Sequence, residues 1–321
     1  MAGNEADISD RLFTPTRVGD LADQLEEAIR KMRNLGIRIP PNCRLAMIAR
    51  VLRDVAPTLR FPESPDKLIE IGHAVRDGQE FVEISWVLPT ERLAPTVQAK
   101  LQKAVFGVLR QTGTRPYQYQ SELWVGAALL RSGASAEVVT DTQGKHPDFV
   151  VRRGTALFPV EVKRPKTIGH ARNLVSEAAR QLGSRQRQYH GGALVVDLTD
   201  CLGPTSAIHL DAGPPDLVDI QSEAIKLTSS LHTEVFDGAA AMIRERRRHM
   251  FGVTTFVRAT WWDLTDLTQI HPYRFVLPVS YLGRPDERER RSLAQWLAQL
   301  IDRGMRQTGH QDLGKQEVSF D

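Results

Sequence analysis

The chain has 321 residues, 41% of them hydrophobic and 25% charged, with a net charge of +3. These are ordinary globular proportions and exclude a chain kept disordered by its composition. No run of about 18 apolar residues suggests a membrane helix, no basic-then-apolar leader opens the chain, and two cysteines, Cys43 and Cys201, exclude a disulfide framework or a Cys-based zinc site; a cytoplasmic protein is expected.

In chain order, residues 1–15 read as a loose tail. Leu21, Leu25, Ile29 and Met32 recur at helical spacing within 18–34. The same style returns in 44–55 and from Pro65 to about Arg76, and "EFVEISWVL" (80–88) has the look of a strand. A further helix is expected over about 94–110, after which Gly113 and Pro116 break the pattern. "SELWVGAALLRSG" (121–133) predicts a helix with Ser121 as its N-cap and Gly133 past its end. Short strands follow at 136–141, 148–152 and 157–163, then a helix over about 170–190 with Leu174, Ala178 and Leu182 on one face, then a buried strand at 192–198. A helix within 216–248 ends in "RERRRH"; two long strands and a helix over about 286–306 close the pattern. The expected fold is α/β: a mainly helical region (1–115), then a domain (116–321) with a core at 116–200 and an α+β extension.

Chemistry concentrates in "HPDFVVRRGTALFPVEVKRPK" (146–166). If Gly154-Thr155 form a two-residue turn, with Gly at the first central position, paired residues have numbers summing to 309. Asp148 then lies opposite Glu161, with cross-strand neighbours about 5 Å apart, and Lys163 shares their face. Phe149, Val151, Phe158, Val160 and Val162 fall on the other face, which is wholly apolar. Two carboxylates so placed call for a cation. Mg²⁺ or Mn²⁺ suits carboxylate and carbonyl oxygens, and the Val162 carbonyl is a natural third ligand. Lys163 is placed to hold a water or to neutralise a phosphate. The plainer alternatives are a turn cap for Asp148 and an edge-strand ion pair for Glu161 and Lys163.

Pro-Asp carries little weight, because it recurs at 65–66, 215–216 and 285–286. The acidic-x-Lys triplet is sharper: of the nine lysines only Lys163 has an acidic residue two places before it. Residues 145–190 hold ten Lys/Arg against three Asp/Glu, a net of +7 that leaves −4 for the rest. Such a local excess marks either a polyanion site or a solvated helix face. Arg164, Lys166, Arg180 and Arg187 are candidate phosphate contacts. Arg172 and Arg185 share the same helix region, and His146 and His170 flank the motif. "TWWDL" (260–264) has the chemistry either to stack bases or to fill a core. No P-loop, nucleophile elbow or H-E-x-x-H is present.

On "PD" at 147–148, "EVK" at 161–163 and the order helix, three strands, helix, strand, the segment 116–200 resembles the PD-(D/E)XK nuclease superfamily. That resemblance implies a restriction-endonuclease-like core, with Asp148 and Glu161 binding Mg²⁺ and Lys163 positioning the attacking water. It also implies an acidic residue from the preceding helix, a place held by Glu122; a Glu early in a helix is equally favoured by the helix dipole. Some branches add a Gln and a Tyr on the next helix. Gln181 is there, but Arg185 stands where the Tyr is expected, and Tyr189 follows a turn later. The resemblance implies a nuclease acting on DNA or RNA, with DNA favoured, a homodimer or partner chain, and a role in restriction or antiviral defence. The competing expectation is an inactive nuclease-like protein that binds nucleic acid or supports an assembly.

Overall fold

The computed structural model describes residues 16–56, 64–109, 115–133, 135–138, 147–183, 192–202, 208–211, 217–233, 252–263, 269–281 and 288–306. In chain order the elements are β1 (Thr16–Arg17), α1 (Val18–Asn34), α2 (Arg44–Val55), α3 (Pro65–Trp86), α4 (Pro95–Val105) and α5 (Arg115–Arg131). Then come β2 (Ser135–Val138), β3 (Phe149–Arg153), β4 (Ala156–Lys163), α6 (Ile168–Gly183), β5 (Ala193–Asp197), a 3₁₀ turn at Thr199–Leu202 and β6 (Ile208–Asp211). The chain continues as α7 (Leu217–His232), β7 (Gly252–Asp263), β8 (Gln269–Tyr281) and α8 (Arg288–Arg306). From α5 to β5 the order is the expected helix, three strands, helix, strand.

The architecture is α/β, built on one mixed sheet ordered β1-β8-β7-β5-β4-β3-β2, with β6 also pairing to β7. Strands β2, β3 and β4 form an antiparallel meander, while β4, β5 and β7 run parallel. Parallel strands need crossovers, and α6 supplies the one between β4 and β5. The β3–β4 register is the one expected: Phe149 pairs with Val160, Val151 with Phe158 and Arg153 with Ala156. Gly154 has φ +61°, a conformation that glycine adopts without a Cβ clash, so the turn can be two residues long.

Alternate residues of β5 show how the sheet is covered. Ala193 and Val195 pack into one cluster with α1–α5 and α8, through Leu25, Leu52, Phe81, Trp124 and Ile301 among others. Leu194 and Val196 pack into a second cluster with α6 and α7, through Val175, Ala178, Leu182 and Leu231. Phe149, Val151, Phe158, Val160 and Val162 all join the first cluster, as the alternation requires. The helical region ahead of residue 115 therefore does not carry a core of its own: it shares one with the sheet.

Two departures from expectation bear on the site and its surroundings. Residues 80–86 are not a strand but the end of α3, which Ser64 caps by accepting a hydrogen bond from the Lys67 backbone N–H at 3.3 Å. Positions 71–85 are buried nearly all round, so no helical stripe of polarity survives to be read. Ser121 is not an N-cap. Helix α5 starts at Arg115, with Pro116 in its first turn, where a missing N–H costs nothing; Gly133, φ +80°, does lie just past its end. Glu122 thus sits well inside the helix, so the dipole does not explain it. The run "RERRRH" (244–249) lies outside the described residues.

Candidate active site

The end of β4 carries the motif, and three elements converge on it. Just ahead of β3, Asp148 accepts a hydrogen bond on Oδ2 from the Val162 backbone N–H at 2.9 Å. Its Oδ1 accepts one from Lys100 Nζ, on α4, at 2.8 Å. The same ammonium lies 2.8 Å from Glu122 Oε2 on α5. One cation therefore bridges two carboxylates from separate parts of the chain. Beyond it, Lys163 Nζ donates to Glu161 Oε1 at 2.5 Å. The second Glu161 oxygen is buried without a hydrogen-bond partner.

Gln118 ties these groups together. It stands four residues before Glu122, on the same face of α5. Its Nε2 donates to the Val162 carbonyl at 2.8 Å and to Glu122 Oε1 at 3.0 Å. Its Oε1 accepts from the Arg164 backbone N–H at 2.8 Å. One amide therefore locks the end of β4 against the helix.

The electrostatics match this crowding. Burial, then the charge of Asp148, pushes Glu122 up to about 7 and Glu161 up to about 8; Lys100 and Lys163 respectively resist the rise. Lys163 is raised: burial opposes its charge, but Glu161 and then Asp148 outweigh burial. Lys100 is raised in the same way by Asp148 and Glu122.

The sequence-based residues fare unequally. Asp148, Glu122, Glu161, Lys163 and Val162 are brought together at one strand end. The β3–β4 register, with Phe149 on Val160, is the one that puts Asp148 opposite Glu161, and each carboxylate has its own partners: Lys100 and the Val162 N–H for Asp148, and Lys163 for Glu161. Arg164 is a correction. Its side chain is fully buried, bonded to Asp200 at 2.7 and 2.9 Å and 3.6 Å from Asp197, so it faces the interior and not a phosphate. The expectation failed because a guanidinium that finds buried carboxylates is held more firmly inside than by solvent. Lys166 is exposed, just ahead of α6. The side chains of Arg172 and Arg180, and the whole of His146, Arg185, Arg187 and Tyr189, lie outside the described residues, as do the side chains of Trp261 and Trp262. His170 is exposed, its backbone N–H donating to Thr167 Oγ1 at 3.2 Å.

Sequence reasoning missed Lys100 and Gln118. Gln118 was within reach of it: a helix begun at Arg115 puts Gln118 one turn from Glu122. Nothing local marks Lys100, which lies in a helix with Lys103 close by.

As donors, Asp148, Glu122, Glu161 and the Val162 carbonyl suit a hard divalent cation, and the orphaned Glu161 oxygen is the kind of atom such an ion would satisfy. The position between Asp148 and Glu122 is held by the Lys100 ammonium, and among the described residues no group of three or more His, Cys, Asp or Glu is arranged to hold a metal ion. Among those residues, too, no helix is long and apolar enough to cross a membrane. Comparison with protein-family models, curated proteins and solved structures found no match.

Proposed function

We propose that the chain is a metal-dependent nuclease with a PD-(D/E)XK-type, restriction-endonuclease-like core, hydrolysing phosphodiester bonds in DNA by preference over RNA. The observation that carries the reading is the convergence of Glu122 and Asp148 on one ammonium beside the Glu161–Lys163 pair, at the end of β4. Carboxylates that repel one another at a strand end destabilise the fold unless a cation is used there. Asp148, Glu161, Glu122 and the Val162 carbonyl would hold Mg²⁺ or Mn²⁺. That ion would supply Lewis-acid stabilisation of the charge on the scissile phosphate and leaving oxygen. Lys163, kept charged by Glu161, orients the attacking water. Lys166 offers an exposed cation to the phosphate backbone.

A second reading is favoured by one observation: Lys100 already neutralises Asp148 and Glu122, as it would in a nuclease-like protein that binds nucleic acid without cutting it. Incubation of the purified protein with supercoiled plasmid or single-stranded RNA, in Mg²⁺, Mn²⁺ or EDTA, separates the two. The nuclease reading expects metal-dependent cleavage that falls at least about 100-fold in Asp148→Ala and Lys163→Ala. Undiminished cleavage by either variant overturns the site assignment; binding without cleavage in any metal supports the second reading.

A further inference from the structure

Among the described residues, Lys100 is the one charged group of the site contributed by the helical region ahead of residue 115. We propose that it is a built-in competitor for the divalent cation: its ammonium occupies the place between Asp148 and Glu122 and must withdraw for the ion to bind, so that the helical region sets the metal affinity. The inference rests on the metal-dependent reading above.

Three observations carry it. The first is position. Lys100 Nζ lies 2.8 Å from an oxygen of each of two proposed metal ligands, so ammonium and ion cannot both sit there. The second is what stays behind. Asp148 keeps its hydrogen bond from the Val162 N–H, and Glu122 keeps that from Gln118 Nε2. Both carboxylates therefore remain oriented when the lysine leaves. The third is exposure of the right partner. The Lys100 side chain is 21% exposed, against 8% for Glu122 and 12% for Asp148, so it is the member with a route to water. An unbranched four-carbon stem can make that excursion without moving α4, and the Phe149 ring, 5.8 Å from Nζ, lies beside it.

The test is metal binding, not turnover. Mn²⁺ titrated calorimetrically into the full chain should bind Lys100→Met at least about tenfold more tightly than the wild type, 1.4 kcal/mol in binding free energy, with Asp148→Asn abolishing binding in both backgrounds. Equal or weaker binding by Lys100→Met overturns the proposal. A readout on the unmodified chain does not depend on that variant's folding: reaction of Lys100 with an amine-acylating reagent, followed by mass spectrometry, should rise several-fold when Mg²⁺ is added. Unchanged labelling under Mg²⁺ also overturns it. If wild type and Lys100→Met bind Mn²⁺ equally while plasmid cleavage remains Asp148-dependent, this inference alone falls. If neither binds Mn²⁺ and no nucleic acid is cut, the nuclease reading falls with it.

Discussion

Two buried charge clusters lie on either side of α5, and they are built to opposite ends. The first joins α2, α3, α5, β5 and β7. Arg44 pairs with Asp77 at 3.3 Å and donates to Gln120, which reaches Glu80 at 2.5 Å. Arg76 holds Asp77 from the other side at 3.0 Å, Arg258 pairs with Asp197 and Glu80, and Arg164 with Asp200. Ser121 donates to Asp197 at 2.5 Å, and the Tyr117 ring lies between Arg44 and Arg164, 4.1 and 5.0 Å from their guanidinium carbons. Four guanidinium groups thus face four carboxylates. Although burial opposes ionisation, Arg76 and Arg44 pull Asp77 down to about 2, and Arg258 and Arg164 do the same for Asp197. Glu80 is the exception, raised by burial and by Asp77 despite Arg258.

The second cluster is the candidate site, where three carboxylates face two ammonium groups. There the same burial drives Glu122 and Glu161 up to about 7 and about 8. Burial alone therefore does not decide the charge state. The supply of matched donors does: planar guanidinium groups saturate a carboxylate, whereas one ammonium shared between two leaves a deficit. The first cluster is a fixed clamp between the helices and the sheet. The second has one more carboxylate than ammonium, and its surplus is met by the raised proton affinity of Glu122 and Glu161.

The largest expected effect breaks the clamp. Arg258→Met leaves Asp197 and Glu80 buried without their guanidinium, and should cost about 3–5 kcal/mol of stability in urea denaturation. A loss under about 1 kcal/mol would mean that the cluster relaxes around the gap and is no clamp.

A smaller effect separates the clusters by pH. Glu122 and Glu161 bind protons more tightly folded than at their ordinary value of 4.5. Their contribution is therefore present at low pH and is lost as pH rises through about 7 to 8. Asp77 and Asp197 bind protons less tightly than at 3.8, so theirs is present above that value and is lost as pH falls towards 2. In EDTA, stability should fall between pH 5 and 8 by about 1.4 kcal/mol per pH unit for each proton released. Glu161→Gln should flatten that slope and leave the acid limb below pH 4 unchanged. A slope that persists in Glu161→Gln and Glu122→Gln alike would place its source elsewhere.

The smallest effect touches only the hairpin. Gly154→Ala forces a Cβ into positive φ and should cost about 1 kcal/mol. Nothing lies within 4 Å of the added carbon, so the cost is backbone strain alone. Because the turn sets the register at Asp148, the metal-dependent cleavage proposed above should weaken more than this loss of stability in the plasmid assay, while the clamp stays intact.

Legibility follows range. The alternation at 149, 151, 158, 160 and 162 is local, so the hairpin register, its apolar face and the grouping of Asp148, Glu161 and Lys163 could be read from the chain. Glu122 could be placed on the helix before the meander, though not the start of that helix, since Pro116 serves as well to begin one as to end one. The strand reading of 80–88 failed because Glu80 and Glu83 are buried against Arg258 and Arg131, partners far along the chain. Arg164 failed likewise, because Asp197 and Asp200 claim it from beyond α6.

By itself the sequence determined an α/β chain whose charged strand end needs a counter-ion, because period-two patterning and a two-residue turn act over a few residues. Only the tertiary structure decided which counter-ion is present. Lys100 meets Asp148 across 48 positions of chain, and that meeting exists only because the helices ahead of residue 115 bury their apolar faces in the same core as β3 and β4.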